Sequence, residues 1–218
     1  GRFAEVDAIL EFHVERFDYK ERKAYVKAVE VDYFTDAISH TQVKVLEELA
    51  RAEAGAPPVA AARLHGEVQV NTQVVGFKKI KFYTLENVGA GQLTLPEQQM
   101  HTTAYWLSLG RELMAALPYT AAERQDGVTA LANALRAIAT LLVMCDRRDL
   151  GVAAGNTAEP DYAPNIYLYD NYPGGIGLSE PLYELHYRLL EQTGKLIEGC
   201  GCTAGCPSCV GPTGEVGE

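Results

Sequence analysis

The segment Cys200-Gly201-Cys202-Thr203-Ala204-Gly205-Cys206-Pro207-Ser208-Cys209 places four thiols within ten residues, in the spacing C-x-C-x3-C-x2-C. Only small residues or proline separate them, so the backbone can turn sharply enough to bring the sulfurs to one point. Four thiolates in a tetrahedron, each about 2.3 Å from the ion, are the ligand set of a structural zinc. Because the protein supplies every ligand, no position stays open for water or substrate, which argues against zinc-hydrolase chemistry. An iron-sulfur cluster also takes four thiolates and is the other metal chemistry the spacing leaves open. Disulfides are disfavoured: Cys200 and Cys202 are too close along the chain to pair comfortably, and a cytosolic setting keeps thiols reduced. The fifth cysteine, Cys145, falls on the apolar face of a helical stretch and reads as core packing.

A second group of residues could hold an anion. In Asp170-Asn171-Tyr172-Pro173-Gly174-Gly175-Ile176-Gly177 the glycines would let backbone N–H groups converge, with a helix N-terminus following. The turn is not a P-loop, since no Gly-Lys-Ser/Thr follows, and it lacks the full G-x-G-x-x-G pattern. It reads either as a tight turn between a strand and a helix or as a phosphate contact through Gly174, Gly175 and Gly177. Two basic clusters, Lys78 with Lys79 and Lys81, and Arg147 with Arg148, read either as solvated element ends or as phosphate contacts. The histidines, His13, His40, His65, His101 and His186, form no H-E-x-x-H arrangement, and no G-x-S-x-G elbow is present. His101, beside Thr102 and Thr103, reads as a hydrogen-bonded structural histidine. Tyr105 and Trp106 could stack on bases, but alternation along a strand should turn one of them to the core.

The elements that position these residues are read from periodicity. Val6–Val14 and Tyr25–Tyr33 approximately alternate apolar and polar residues, with Asp18–Arg22 as the turn of an antiparallel hairpin. Thr41–Leu46 reads as a further strand in preference to the start of a helix through Ala54, and 54–63, rich in Ala, Pro and Gly, as a loop. Gly66–Val75 and Phe77–Tyr83 read as a second β pair, with Gly76 as a bulge or bend between them, and 101–107 as another strand. From Ala121 the pattern becomes helical, with Leu131, Leu135, Ile138, Leu142 and Cys145 on one face. Asn165–Asp170 reads as a buried strand. The helix after the glycine turn should have Ser179 as its N-cap, Pro181 in its first turn and Gly194 at its end.

The fold class expected is therefore α+β. Antiparallel strands of the N-terminal half pack with a long helix, and a C-terminal strand-turn-helix leads into the four-cysteine knot. One domain over 1–218 is expected, mainly β over 1–110 and mainly α over 111–218, with the knot at 200–209. The chain has 218 residues, 47% of them hydrophobic, enough for a real core. No run of about 18 apolar residues and no signal peptide is seen, so a cytoplasmic location is expected. The start without Met suggests a piece of a larger protein. A formal net charge of -10 disfavours tight autonomous binding to a polyanion and leaves only local patches for phosphates.

The sequence resembles the C-terminal zinc-binding (MZB) region of the MrfA family of superfamily 2 DNA repair helicases. The resemblance is carried by Val74–Phe82, Leu95–Ala104, Cys145–Gly151, Tyr169–Gly177 and the cysteine knot, and spans nearly the whole chain. It implies a non-catalytic accessory domain beside two RecA-like motor domains, helping to enclose single-stranded DNA as the motor moves 3′ to 5′. It also implies that Cys200, Cys202, Cys206 and Cys209 hold Zn2+, while ATP and Mg2+ belong to motor domains outside this chain. The chain itself is then not an enzyme, and the parent is an ATP-dependent DNA helicase. A protein-interaction module recruiting a repair partner such as a nuclease is the alternative, suited to the acidic charge. A metal-dependent enzyme using the glycine turn and His101 is a further one, opposed by the lack of an open ligand position.

Overall fold

The computed structural model describes residues 11–54, 61–155, 163–203 and 205–211. Contacts divide the chain into two compact units. One takes the described residues up to His40 with Gln73–Pro96; the other takes Thr41–Thr72 with the described residues from Glu97 on. The class is α+β with antiparallel strands, a long helix and a strand-turn-helix before the cysteines, as the sequence predicts.

In the first unit, β1 (Glu11–Asp18) and β2 (Lys23–Val29) form the expected hairpin, with Asp18 opposite Lys23 and an irregularity between Val14 and Arg16. Of the expected first strand at Val6–Val14, residues 11–14 lie in β1, which continues to Asp18, and residues 6–10 fall outside the described residues. The second ends at Val29, and Tyr33 opens a separate strand, β3 (Tyr33–Glu53). The expected break at Gly76 is also corrected: β4 (Ala61–Lys81) runs through it without a turn. Gly76 instead permits close approach of β5 (Asn87–Gln92), since a Cβ there would come within 2.8 Å of the Gly91 carbonyl oxygen.

The second unit holds the other parts of β3 and β4, and then β6 (Gln98–Leu109), α1 (Arg111–Ala116) and α2 (Ala121–Leu142). β7 (Leu150–Gly155), β8 (Asn165–Asp170), α3 (Ser179–Glu184) and α4 (His186–Glu198) complete it. The sheet order is β3-β4-β6-β8-β7, with β6 antiparallel to both β4 and β8, and β7 antiparallel to β8. Side-chain alternation on β6 buries apolar residues on both faces. Tyr105, Leu107 and Leu109 join Leu135 of α2 and Leu189 of α4 in one cluster. Ala104 and Trp106 join Leu64, Val68 and Tyr167 in the other. β8 is buried nearly throughout, as its unbroken apolar run predicts.

α2 starts with a capping box: the Thr120 N–H donates to Glu123 Oε2 (2.8 Å) and the Glu123 N–H to Thr120 Oγ1 (3.3 Å). The helix after the glycine turn departs from expectation. It breaks at Leu185 into α3 and α4, its N-cap position is Leu178, and Gly194 lies inside α4, which runs on to Glu198. Ser179 does not cap because its hydroxyl donates to Thr103 Oγ1 (3.0 Å) and contacts His65 Nε2 (3.2 Å). Among the described residues, no helix is long and apolar enough to cross a membrane.

Candidate metal centre and nucleic-acid surface

The four cysteines converge. The sulfurs of Cys200, Cys202, Cys206 and Cys209 all lie within 4.8 Å of one another, and none forms a disulfide. Cys200 to Cys206 is 3.6 Å, Cys202 to Cys209 is 3.5 Å, and Cys206 to Cys209 is 3.6 Å. A tetrahedron of sulfurs about 2.3 Å from a central ion has edges of roughly 3.8 Å, so this donor set fits one zinc with little adjustment. The fold builds the site from the end of α4 onward. A single turn carries Cys206 to Cys209, with the Cys209 and Val210 N–H groups donating to the Cys206 carbonyl (3.1 and 3.0 Å). Gly205 and Gly211 take positive φ (89° and 96°), which gives the chain its sharp reversals.

The thiols differ. Backbone N–H groups of Cys209 and Ser208 pull the Cys206 thiol down to about 6, whereas hydrogen bonding from Cys200 pushes Cys202 up to about 12. Cys209 is buried and Cys202 exposed, so the knot faces the core on one side and solvent on the other. Gly211 is seated where a Cβ would strike the Asn133 side chain of α2 (2.6 Å), which ties the segment to the long helix. Cys145 is partly buried against the main cluster, as expected from its place on the apolar face.

Of the two readings of the glycine turn, the tight turn between strand and helix describes its backbone, whose N–H groups are not an open anion cradle. Asp170 Oδ2 accepts the N–H groups of Ile176 (2.7 Å), Gly177 (2.8 Å) and Leu178 (3.1 Å). The Gly174 N–H donates to the His101 carbonyl (2.7 Å) and that of Gly175 to Tyr172 (3.0 Å). The converging N–H groups thus have an anion already, supplied by a fully buried carboxylate of the same chain. Gly175 is required because a Cβ would come within 2.5 Å of Thr103 Oγ1. Asp170 is the residue whose role sequence reasoning missed; a carboxylate at the end of a buried strand, just before a glycine turn, was its signal.

The other candidates separate. Lys79 sits over the Tyr33 ring (4.8 Å) and Lys81 lies 3.7 Å from Asp32, while strand alternation sends Lys78 to the opposite face. His101 faces Glu67 at 3.8 Å in an exposed pair. Tyr105 and Trp106 are both buried, at 0% and 3% exposure, on opposite faces of the sheet, so neither can stack on a base. The expectation that only one of the pair faces the core is corrected.

Four converging thiols on an α+β scaffold fit a zinc-binding domain. Residues 131–210 match the family described as MZB, the MrfA Zn-binding domain. The ATP-dependent helicase YprA of Bacillus subtilis (strain 168) is 39% identical over 203 residues, which cover 93% of this chain and 26% of that protein. A Methanocaldococcus jannaschii protein is 42% identical over 45 residues, 21% of this chain and 40% of its own length. Helicase MrfA bound to DNA superposes with a TM-score of 0.62 at 38% identity, covering 93% of this chain and 26% of that one. Another crystal structure of the same helicase gives 0.60 at 33% identity, with coverages of 93% and 26%. The chain spans about a quarter of the length of YprA and MrfA.

Proposed function

We propose that this chain is a non-catalytic, zinc-stapled accessory domain of a cytoplasmic, ATP-dependent superfamily 2 helicase that acts in DNA repair. Cys200, Cys202, Cys206 and Cys209 hold a structural Zn2+, which supplies a cross-link at a segment with little apolar material of its own to bury. ATP and Mg2+ are handled by RecA-like motor domains elsewhere in the parent protein. The domain stabilises the helicase and helps to enclose the single strand along which the motor moves 3′ to 5′. The observation that carries this reading is the convergence of four sulfurs within 4.8 Å, inside the segment that matches a helicase zinc-binding domain.

Lys78, Lys79 and Lys81 of the first unit are the proposed phosphate contacts. In the second unit the exposed side of the Gly174–Gly177 turn is a contact by shape, because nothing lies within 4 Å of a Cβ built at Gly174 or Gly177. The test uses the full-length protein. It should unwind a duplex with a 3′ single-stranded tail only when ATP is present. Reversing the charge of Lys78, Lys79 and Lys81 should weaken oligo(dT) binding about tenfold and flatten its salt dependence. Absence of ATP-dependent unwinding would overturn the helicase reading, and unchanged affinity and salt slope would overturn the lysine assignment.

A further inference from the structure

The β1–β2 hairpin of the first unit is a two-stranded sheet whose strands pair with each other. Its register sorts the side chains by face. Phe12 lies opposite Ala28, Val14 opposite Val26 and Phe17 opposite Ala24, so these six apolar residues share one face. The other face pairs His13 with Lys27, Arg16 with Tyr25 and Asp18 with Lys23, and the Arg16 guanidinium lies 4.1 Å from the Tyr25 ring centre. The irregularity between Val14 and Arg16 is what brings Phe17 onto the face of Phe12 and Val14, since a regular strand would send it to the other side. The apolar stripe continues in both directions. Toward the turn, Phe17 meets Tyr19 edge to face, with ring centres 6.1 Å apart. At the base, Phe12 and Val14 line a cleft of about 580 Å3 together with Val31, Phe34, Phe77 and Leu95, all of the first unit.

This face is bare: Phe12, Val14, Phe17 and Val26 are 55%, 51%, 50% and 50% exposed. A two-stranded hairpin is marginal in water unless something packs on it. Charge does not select what that is. Residues 11–29 set Arg16, Lys20, Arg22, Lys23 and Lys27 against Glu11, Glu15, Asp18 and Glu21, a near balance, so attraction here is apolar rather than ionic. Size does select. The two phenylalanines and two valines leave about 400 Å2 of apolar surface, roughly half of the ~800 Å2 that each partner of a stable complex between separate molecules covers. A domain of the same polypeptide needs less, because the linking chain already holds the two surfaces at high effective concentration. The chain spans about a quarter of the length of YprA and MrfA, which leaves most of such a protein to supply that domain. We propose that the apolar face of this hairpin docks an apolar face of another domain of the same polypeptide, formed by residues outside 1–218, with the cleft at its base receiving one of that domain's side chains. The inference rests on the reading above that the chain is part of a longer helicase, and adds the surface that holds it to the remainder.

The test places a photoreactive ring in the full-length protein as Phe17→p-benzoylphenylalanine, with Tyr25→p-benzoylphenylalanine as the control for the opposite face. Both positions are about half exposed, so the larger ring should be tolerated, which the melting temperature checks. Irradiation without ATP or DNA, followed by digestion and mass spectrometry, should join position 17 to a peptide of the same polypeptide outside 1–218. An equal yield from position 25 would overturn the assignment to the apolar face. Adding Val26→Asp sets a carboxylate on that face and should abolish the product, because an unpaired charge resists burial. Persistence of the product in that variant would overturn the apolar contact. Products confined to residues 1–218, products joining two copies, or no product from folded protein each overturn the proposal. A product with oligo(dT) that replaces the protein cross-link when the strand is added would make the hairpin a base-stacking surface and overturn it as well. The cross-link needs neither ATP nor DNA, so its failure leaves the helicase reading standing, and a failure of unwinding leaves the cross-link to be judged by itself.

Discussion

The Asp170 carboxylate accepts the backbone N–H of Gly177 at 2.8 Å, and the same oxygen takes those of Ile176 and Leu178. One buried acid therefore holds the whole turn between β8 and α3. Asp170→Ala should orphan three N–H groups at once and destabilise the fold by about 3 kcal/mol or more. Asp170→Asn retains a neutral carbonyl acceptor and should cost roughly half as much. Urea unfolding of both variants checks this, and equal stability of Asp170→Ala and wild type would remove the carboxylate from its central role.

The Tyr105 hydroxyl and His186 Nδ1 share a hydrogen bond of 2.7 Å deep in the core, where both side chains are fully buried. Burial, with the nearby Arg63 charge adding to it, lowers the His186 pKa to about 4 from the usual 6.5. Between those values the unfolded chain binds a proton that the folded one refuses, so this histidine's stability contribution is intact above pH 6.5 and is lost as the pH falls toward 4. His186→Asn, which keeps an acceptor but cannot titrate, should flatten the drop in urea midpoint between pH 7 and pH 4.5. Since carboxylates titrate in the same range, the difference between wild type and variant is the quantity to follow. Parallel pH curves would show that His186 does not carry it.

Metal analysis of the anaerobically purified protein should give about one zinc per chain and no visible colour. Replacing Cys202, the exposed thiol, or Cys209, the buried one, by Ser should each release the metal. Cys209→Ser should lower the melting temperature further, because it also disturbs packing at the core side of the knot. A brown protein absorbing near ~400 nm would replace zinc with an iron-sulfur cluster.

The capping box at Thr120 and Glu123 gives a smaller and cleaner test. Hydrogen bonds from the Thr120 backbone and side chain lower the Glu123 pKa below its usual value. Its contribution is thus present above the ordinary carboxylate range and is lost as pH falls through the lowered value. Thr120→Ala should cost about 1 kcal/mol at pH 7, read from the urea midpoint. A change under about 0.2 kcal/mol would show that the cap adds little beyond helix propensity.

The legible parts of the fold were those whose side chains carry the signal. The strong alternation of Gly66–Val75, the apolar run of Asn165–Asp170, the stripe on α2 and the cysteine spacing each led to the element or cluster found. What stayed hidden depends on neighbours distant in sequence. β5, Asn-Val-Gly-Ala-Gly-Gln, and β7, Leu-Gly-Val-Ala-Ala-Gly, carry no strand signal of their own because glycine and alanine have low strand propensity. Each is a strand because an aromatic ring from its partner fills the space over a glycine: Phe77 over Gly91, and Tyr169 over Gly151. The glycine turn stayed open to two readings for a related reason. A sequence displays N–H groups that could bind an anion, but not the side chain that has already taken them.

The cysteine knot has one more property, which follows from its four thiols being neighbours along the chain. Ligands confined to Cys200–Cys209 close only short loops, so the unfolded polypeptide is able to chelate the same ion. Metal then shifts the folding equilibrium only by the ratio of two affinities, that of the folded knot and that of the free peptide. The advantage of the folded form lies in what it holds in register: the Cys206–Cys209 turn, and Gly211 seated on Asn133. Loading can therefore precede folding of the sheet.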